Sequence, residues 1–90
     1  MVKGMVVAPQ PEAVEAGLET LKSGGNVIDA AISAAFVQTA VDPQMCGIAG
    51  FGSMQIYMPN LGGHTSIDFH GRAPLAAYEG MWEHLIEREC

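Results

Sequence analysis

The residues with the widest chemical reach in this sequence lie between His64 and Arg72. His64, Asp68 and His70 carry metal-ligand side chains, and in an extended strand they share one face. At the rise of a strand, however, His64 and His70 stand roughly 20 Å apart, too far to share one ion. The set therefore reads as a solvated or interface-facing strand surface, and no metal site is expected. Arg72 follows at once, in Gly71-Arg72-Ala73-Pro74. A guanidinium held at a strand end suits recognition of a carboxylate, and an exposed loop arginine is the simpler reading. Cys46 stands next to Gly47-Ile48-Ala49-Gly50-Phe51-Gly52 and could be a nucleophile with a histidine base, but a small buried thiol is the better reading. The glycines there run GxxGxG, precede a strand and are followed by no Walker lysine, so a phosphate cradle is not indicated.

The elements that must position these residues follow from periodicity and punctuation. A first helix is expected over residues 11–23. Pro11 suits its first turn, and Val14, Leu18 and Leu21 mark one face. Gly24-Gly25 ends it. Asn26 caps a second helix, with Asp29 in a capping-box position, and Asp42-Pro43 stops it. Between them nearly every side is apolar, from Val27 through Ile32 and Phe36 to Val41, so this helix must be buried all round. Residues 54–58 read as a strand, 59–63 as a hairpin loop, and 64–70 as the return strand. On that strand Thr65, Ile67 and Phe69 lie on one face, with His64, Ser66, Asp68 and His70 on the other. A last helix is expected to begin near Tyr78, with Tyr78, Trp82 and Leu85 toward the core and Glu83, Glu87 and Glu89 toward water. The fold class is mixed α/β of the α+β kind, in the order helix, helix, β-hairpin, helix.

Composition narrows the function. Ten acidic residues stand against four basic ones in 90 residues, a net charge of −6. Nucleic-acid binding and docking on an anionic membrane both need the opposite sign. The longest apolar stretch, Val27 to Val41, is shorter than the roughly 20 residues needed to span a bilayer and carries Asp29, Ser33, Gln38 and Thr39. Pro9 interrupts the apolar start too early for a signal peptide, so a soluble chain is expected, with a cytoplasmic location favoured over export. Cys46 and Cys90 form no CxxC pair; a disulfide between them is allowed but not required. The chain stops at Cys90 inside a helical pattern without a cap, and its second helix has too few partners for its apolar faces. Residues 1–90 are therefore expected to be an incomplete domain.

The motifs together resemble the gamma-glutamyltranspeptidases. Gly24-Gly25-Asn26-Val27-Ile28-Asp29-Ala30-Ala31 is similar to that family's GGNAxDAA segment. Pro11-x-Ala13-x-Glu15-Ala16-Gly17 resembles its P-x-A-x-x-A-G, and Asp42-Pro43 with Gly47-Ile48-Ala49-Gly50-Phe51-Gly52 resembles its EP…SGIGGGGF. Asp68-Phe69-His70-Gly71-Arg72-Ala73-Pro74 is similar to its D-F-R-E-x-A-P.

The resemblance implies a four-layer αββα sandwich of the N-terminal nucleophile hydrolases, with this chain as the N-terminal segment of the large subunit. It implies a precursor that cleaves itself, and a small subunit whose N-terminal threonine is the nucleophile, with its own amine as base. It implies transfer or hydrolysis of a γ-glutamyl group from a glutathione-type donor, without a metal or organic cofactor. The partners would be that small substrate, the rest of the large subunit and the small subunit. No catalytic residue would lie in this chain, which alone would be inactive. The family's motif arginine holds the donor's α-carboxylate. On an ungapped match His70 stands in its place, and Gly71 in that of the glutamate. Exchanging the arginine fork for an imidazole costs about 1.5–3 kcal/mol of charge-assisted binding. Arg72, two residues on, is the other candidate for the same contact. His70 and Arg72 are thus the expected substrate-binding residues. The departures leave open a divergent amide hydrolase or acylase on the same scaffold, and a small non-catalytic interaction module.

Overall fold

The computed structural model describes residues 3–89. Its element order is helix, helix, hairpin, helix: α1 (Pro11–Lys22), α2 (Val27–Val41), β1 (Ser53–Met58), β2 (Gly63–Asp68) and α3 (Glu83–Glu89). The architecture is the expected α+β. A disulfide to Cys90, and the reading of Glu87 and Glu89 as a solvated face, lie outside the described residues and side chains.

Helix α1 starts with Pro11 at its first position and ends in a Schellman motif. The Gly25 N–H donates to the Thr20 carbonyl at 2.9 Å and the Gly24 N–H to the Leu21 carbonyl at 3.2 Å. Gly24 supplies the left-handed residue that motif requires, with φ of 94°. Asn26 then opens α2 with a full capping box: the Asp29 N–H donates to Asn26 Oδ1 at 2.9 Å, and the Asn26 N–H to Asp29 Oδ2 at 3.1 Å. Between the two helices the packing surface is made of small residues. Ala13, Ala30 and Ala34 are the buried apolar side chains of the described residues, and Gly17 lies buried among them. Thr20 Oγ1 and Ser33 Oγ, 2.9 Å apart, add a polar tie across the helix pair.

Helix α2 departs from the expectation of all-round burial. Only the Ala30 and Ala34 stripe is buried. Val27 (58%), Ile32 (44%), Phe36 (63%) and Val41 (42%) remain exposed. The reason is that α1 alone covers one face, and the hairpin approaches a second without closing over it. Ala31 and Val27 of α2, with Met54 and Ile56 of β1, line a shallow cleft of about 160 Å³. The radius of gyration is 18.4 Å, against about 12 Å for a compact domain of this length.

Strands β1 and β2 pair antiparallel, with Ser53 opposite Asp68, Met54 opposite Ile67 and Tyr57 opposite His64. The loop between them is a single turn of 3-10 helix, Pro59–Leu61, followed by Gly62. The return strand begins one residue earlier than expected, at Gly63, and ends at Asp68, leaving Phe69 and His70 beyond it. The last helix also differs. Separate turns occupy 74–82, with the Ala77 N–H on the Pro74 carbonyl and the Met81 N–H on the Tyr78 carbonyl. Gly80, with φ of 81°, interrupts a helical path, and α3 starts only at Glu83. Tyr78 (68%), Trp82 (59%) and Leu85 (42%) are exposed and do not form a core stripe.

Candidate functional site

Two segments meet at the open end of the hairpin: the glycine-rich loop 47–52 and the run from Asp68 to Arg72. They meet because the strand ladder continues past its regular part. The Phe69 N–H donates to the Gly52 carbonyl at 2.9 Å, and the Phe51 N–H donates to the Phe69 carbonyl at 3.0 Å. The loop must come this close without side chains. A Cβ on Gly52 would lie 3.0 Å from the Phe69 ring, and one on Gly50 would lie 3.0 Å from the Phe69 carbonyl oxygen. Glycines at these positions let the loop lie backbone to backbone against Phe69. Phe51 itself has φ of 88°, which few non-glycine residues adopt.

That unusual backbone turns the Phe51 ring toward His70. The two rings lie edge to face, with centroids 5.0 Å apart and planes at 76°. From the other side Asp68 grips the same histidine. Asp68 Oδ1 accepts from the His70 backbone N–H at 3.0 Å and lies 2.6 Å from His70 Nδ1. These two hydrogen bonds, the side-chain one foremost, hold the Asp68 carboxyl below its ordinary pKa. Both side chains are exposed, so the pair sits at the surface.

Arg72, the other expected binding residue, is exposed, and among the described residues no hydrogen bond or ion pair reaches its guanidinium. The structure therefore places His70 in a defined setting and leaves Arg72 free beside it. His64 stands opposite Tyr57, at the far end of β2 from Asp68. Cys46 is half-buried and free, just beyond the end of α2. Among the described residues no three His, Cys, Asp or Glu side chains converge as a metal site would require.

An apolar groove of about 400 Å³ lies between Ile32 and Phe36 of α2 and the Gly47–Gly50 loop, floored by Met54 and Phe69. Neither His70 nor Arg72 lines it, so it is a separate feature from the polar strand end. The contact that sequence reasoning missed is the Asp68–His70 pair. Its signal was present: an aspartate side chain readily bonds the backbone N–H two residues on.

Comparison with known proteins gives a consistent result. The family model described as Gamma-glutamyltranspeptidase matches residues 13–89. Over 79 residues the chain is 42% identical to the glutathione hydrolase proenzyme of Bacillus subtilis, covering 88% of this chain and 14% of that protein. Over 85 residues it is also 42% identical to the acylase ACY 1 proenzyme of a Pseudomonas species, covering 94% of this chain and 15% of that protein. Among solved structures, it superposes on a gamma-glutamyltranspeptidase from Pseudomonas nitroreducens, complexed with L-DON, with a TM-score of 0.82 at 34% identity. That superposition covers 91% of this chain and 24% of the other. The chain thus spans about one seventh of the length of these curated relatives.

Proposed function

The chain belongs to the gamma-glutamyltranspeptidase family, and on that premise we propose that it is the opening segment of the large subunit of an enzyme that transfers or hydrolyses a γ-glutamyl group. In this reading residues 1–90 are one part of a four-layer αββα sandwich. The nucleophile is an N-terminal threonine outside this chain, and the reaction takes no metal or organic cofactor. The apolar face of α2 supports the first point, because Ile32 and Phe36 expose hydrophobic surface that a larger fold would cover.

The observation that carries the site is the strand end Asp68–Arg72, matched to the family's D-F-R-E-x-A-P and pinned in space by the glycine loop. Of its two candidate residues, Arg72 is the better carboxylate contact. Its guanidinium is free, permanently charged and donor-only, whereas His70 Nδ1 is already engaged by Asp68. His70 takes a second contact to the same acyl group.

The test uses the protein from the complete reading frame. Its intact mass should show two chains, the smaller beginning with threonine, and the purified protein should turn over a γ-glutamyl anilide. In Arg72→Ala the KM for that donor should rise about tenfold or more. A single uncleaved chain without turnover would overturn the proposal.

A second reading, an acylase on the same scaffold, is favoured by two observations. A histidine stands where the family motif has its carboxylate-holding arginine, and an acylase relative matches 94% of the chain. It predicts that butyryl anilide, which lacks both the α-carboxylate and the α-amine, is turned over at least as well as the γ-glutamyl compound.

A further inference from the structure

An arginine can only donate hydrogen bonds. The histidine in its place is held in a way that reverses this. Asp68 Oδ1 lies 2.6 Å from His70 Nδ1 and 3.0 Å from the His70 backbone nitrogen. An ionised carboxylate accepts and cannot donate, so the ring proton of a neutral His70 must sit on Nδ1. Nε2 is then a lone-pair acceptor. The Phe51 ring, edge to face at 5.0 Å, packs against the imidazole and limits how far it can swing. The loop that carries Phe51, from Gly47 to Gly52, has no charged or titratable side chain, so Asp68 supplies the charge in contact with the ring.

We propose that Asp68 is a positioning residue that fixes the Nδ1–H form of His70, and that His70 Nε2 is a specificity-determining acceptor for the α-ammonium group of the acyl donor. The inference rests on the proposed γ-glutamyl reading for its ligand, but not for its tautomer. The chemistry of the ligand fits the arrangement. An α-amino acid headgroup carries one cation and one anion. The Asp68–His70 pair carries a net negative charge while the imidazole is neutral, which suits the ammonium. Arg72, two residues along, carries the positive charge that suits the carboxylate. The exchange of arginine for histidine thus moves this position from reading the carboxylate to reading the amine.

Two measurements on the complete protein test the halves separately. The first is the ring nitrogen-15 spectrum of histidine-labelled protein at alkaline pH, with the His70 signals identified by their loss in His70→Gln. A protonated Nδ1 and an unprotonated Nε2 are expected. Asp68→Asn keeps an acceptor at Oδ1 and should retain that form, while Asp68→Ala should lose it. A wild-type His70 protonated on Nε2, or a tautomer unchanged in Asp68→Ala, overturns the positioning role whether or not the protein has activity.

The second measurement compares γ-glutamyl anilide with glutaryl anilide, the same acyl chain without its α-amine. The wild-type KM should be about tenfold lower for the γ-glutamyl compound, with kcat similar for the two. That preference should vanish in His70→Arg. A preference unchanged in His70→Arg overturns the acceptor role. Failure of the protein to turn over either anilide would count against the γ-glutamyl reading and this ligand assignment together, leaving the spectrum to decide the tautomer.

Discussion

Phe69 holds Gly52 by its backbone and covers it with its ring. Its N–H donates to the Gly52 carbonyl at 2.9 Å, and a Cβ on Gly52 would meet its ring at 3.0 Å. This contact joins the glycine loop to the segment that carries His70 and Arg72. Through it, a loop with no reactive side chain of its own decides where the candidate binding residues stand.

The first prediction concerns that junction. Gly50→Ala puts a Cβ 3.0 Å from the Phe69 carbonyl oxygen at a residue with φ of 93°. Gly62 has a similar φ of 95°, but a Cβ there meets nothing within 4 Å. Both substitutions carry the cost of a left-handed backbone, about 1–3 kcal/mol. Only Gly50→Ala adds a clash with backbone. The complete protein should therefore lose more thermal stability, and more activity, with Gly50→Ala than with Gly62→Ala. Equal Tm values for the two variants would contradict the contact.

A second prediction tests the start of α2. Asn26→Ala removes the acceptor of the Asp29 N–H and breaks the reciprocal box. Loss of such a cap costs about 1 kcal/mol. Denaturant unfolding of the variant should show a lower midpoint with an unchanged slope. Asn26→Asp, which keeps a side-chain acceptor, should recover most of the loss.

The uncovered apolar residues of α2 support a third. The 90-residue chain by itself should self-associate and bind an apolar fluorophore, because Val27, Ile32, Phe36 and Val41 are left uncovered. Ile32→Ser with Phe36→Ser should suppress both effects in the isolated chain and lower the folded yield of the complete protein. A monomeric isolated chain with a sharp thermal transition would mean that α2 needs no further cover.

The fourth follows from the carboxyl of Asp68, which its bonds to His70 hold below its ordinary value of 3.8. A depressed carboxyl pKa stabilises the folded state at pH above the unfolded value, and this is lost as pH falls through the folded one. The Tm difference between wild type and Asp68→Ala should narrow as pH falls from about 5 toward about 2. A difference that stays constant across that range would show that Asp68 contributes nothing through its charge.

Local signals carried the sequence a long way. The Pro11 start, the Gly24-Gly25 stop, the Asn26–Asp29 box and the hairpin are each decided within a few neighbouring residues, and each was legible. The motifs were legible because short runs such as Gly24–Ala31 and Asp68–Pro74 carry the family's residue types in consecutive positions. The start of α3 was not legible, because the apolar spacing of Tyr78, Trp82 and Leu85 fits a helix that Gly80 then interrupts. Periodicity records which residues are apolar and not whether the chain between them stays helical.

What the sequence determined by itself is therefore the elements, their order and the family. What only the tertiary structure decided is who touches whom at the strand end. Phe51 and His70 are nineteen positions apart, and their ring contact exists because the hairpin folds the glycine loop back onto Phe69. Asp68 and His70 are close in sequence, yet their bond forms where regular β2 ends at Asp68: Phe69 still bonds across to the glycine loop, while the His70 N–H turns back to the Asp68 carboxylate. The physical reason is range. Caps, turns and helical faces are set by neighbours along the chain, whereas hydrogen-bond partners across a loop are set by register and by which backbones can approach without a side chain between them.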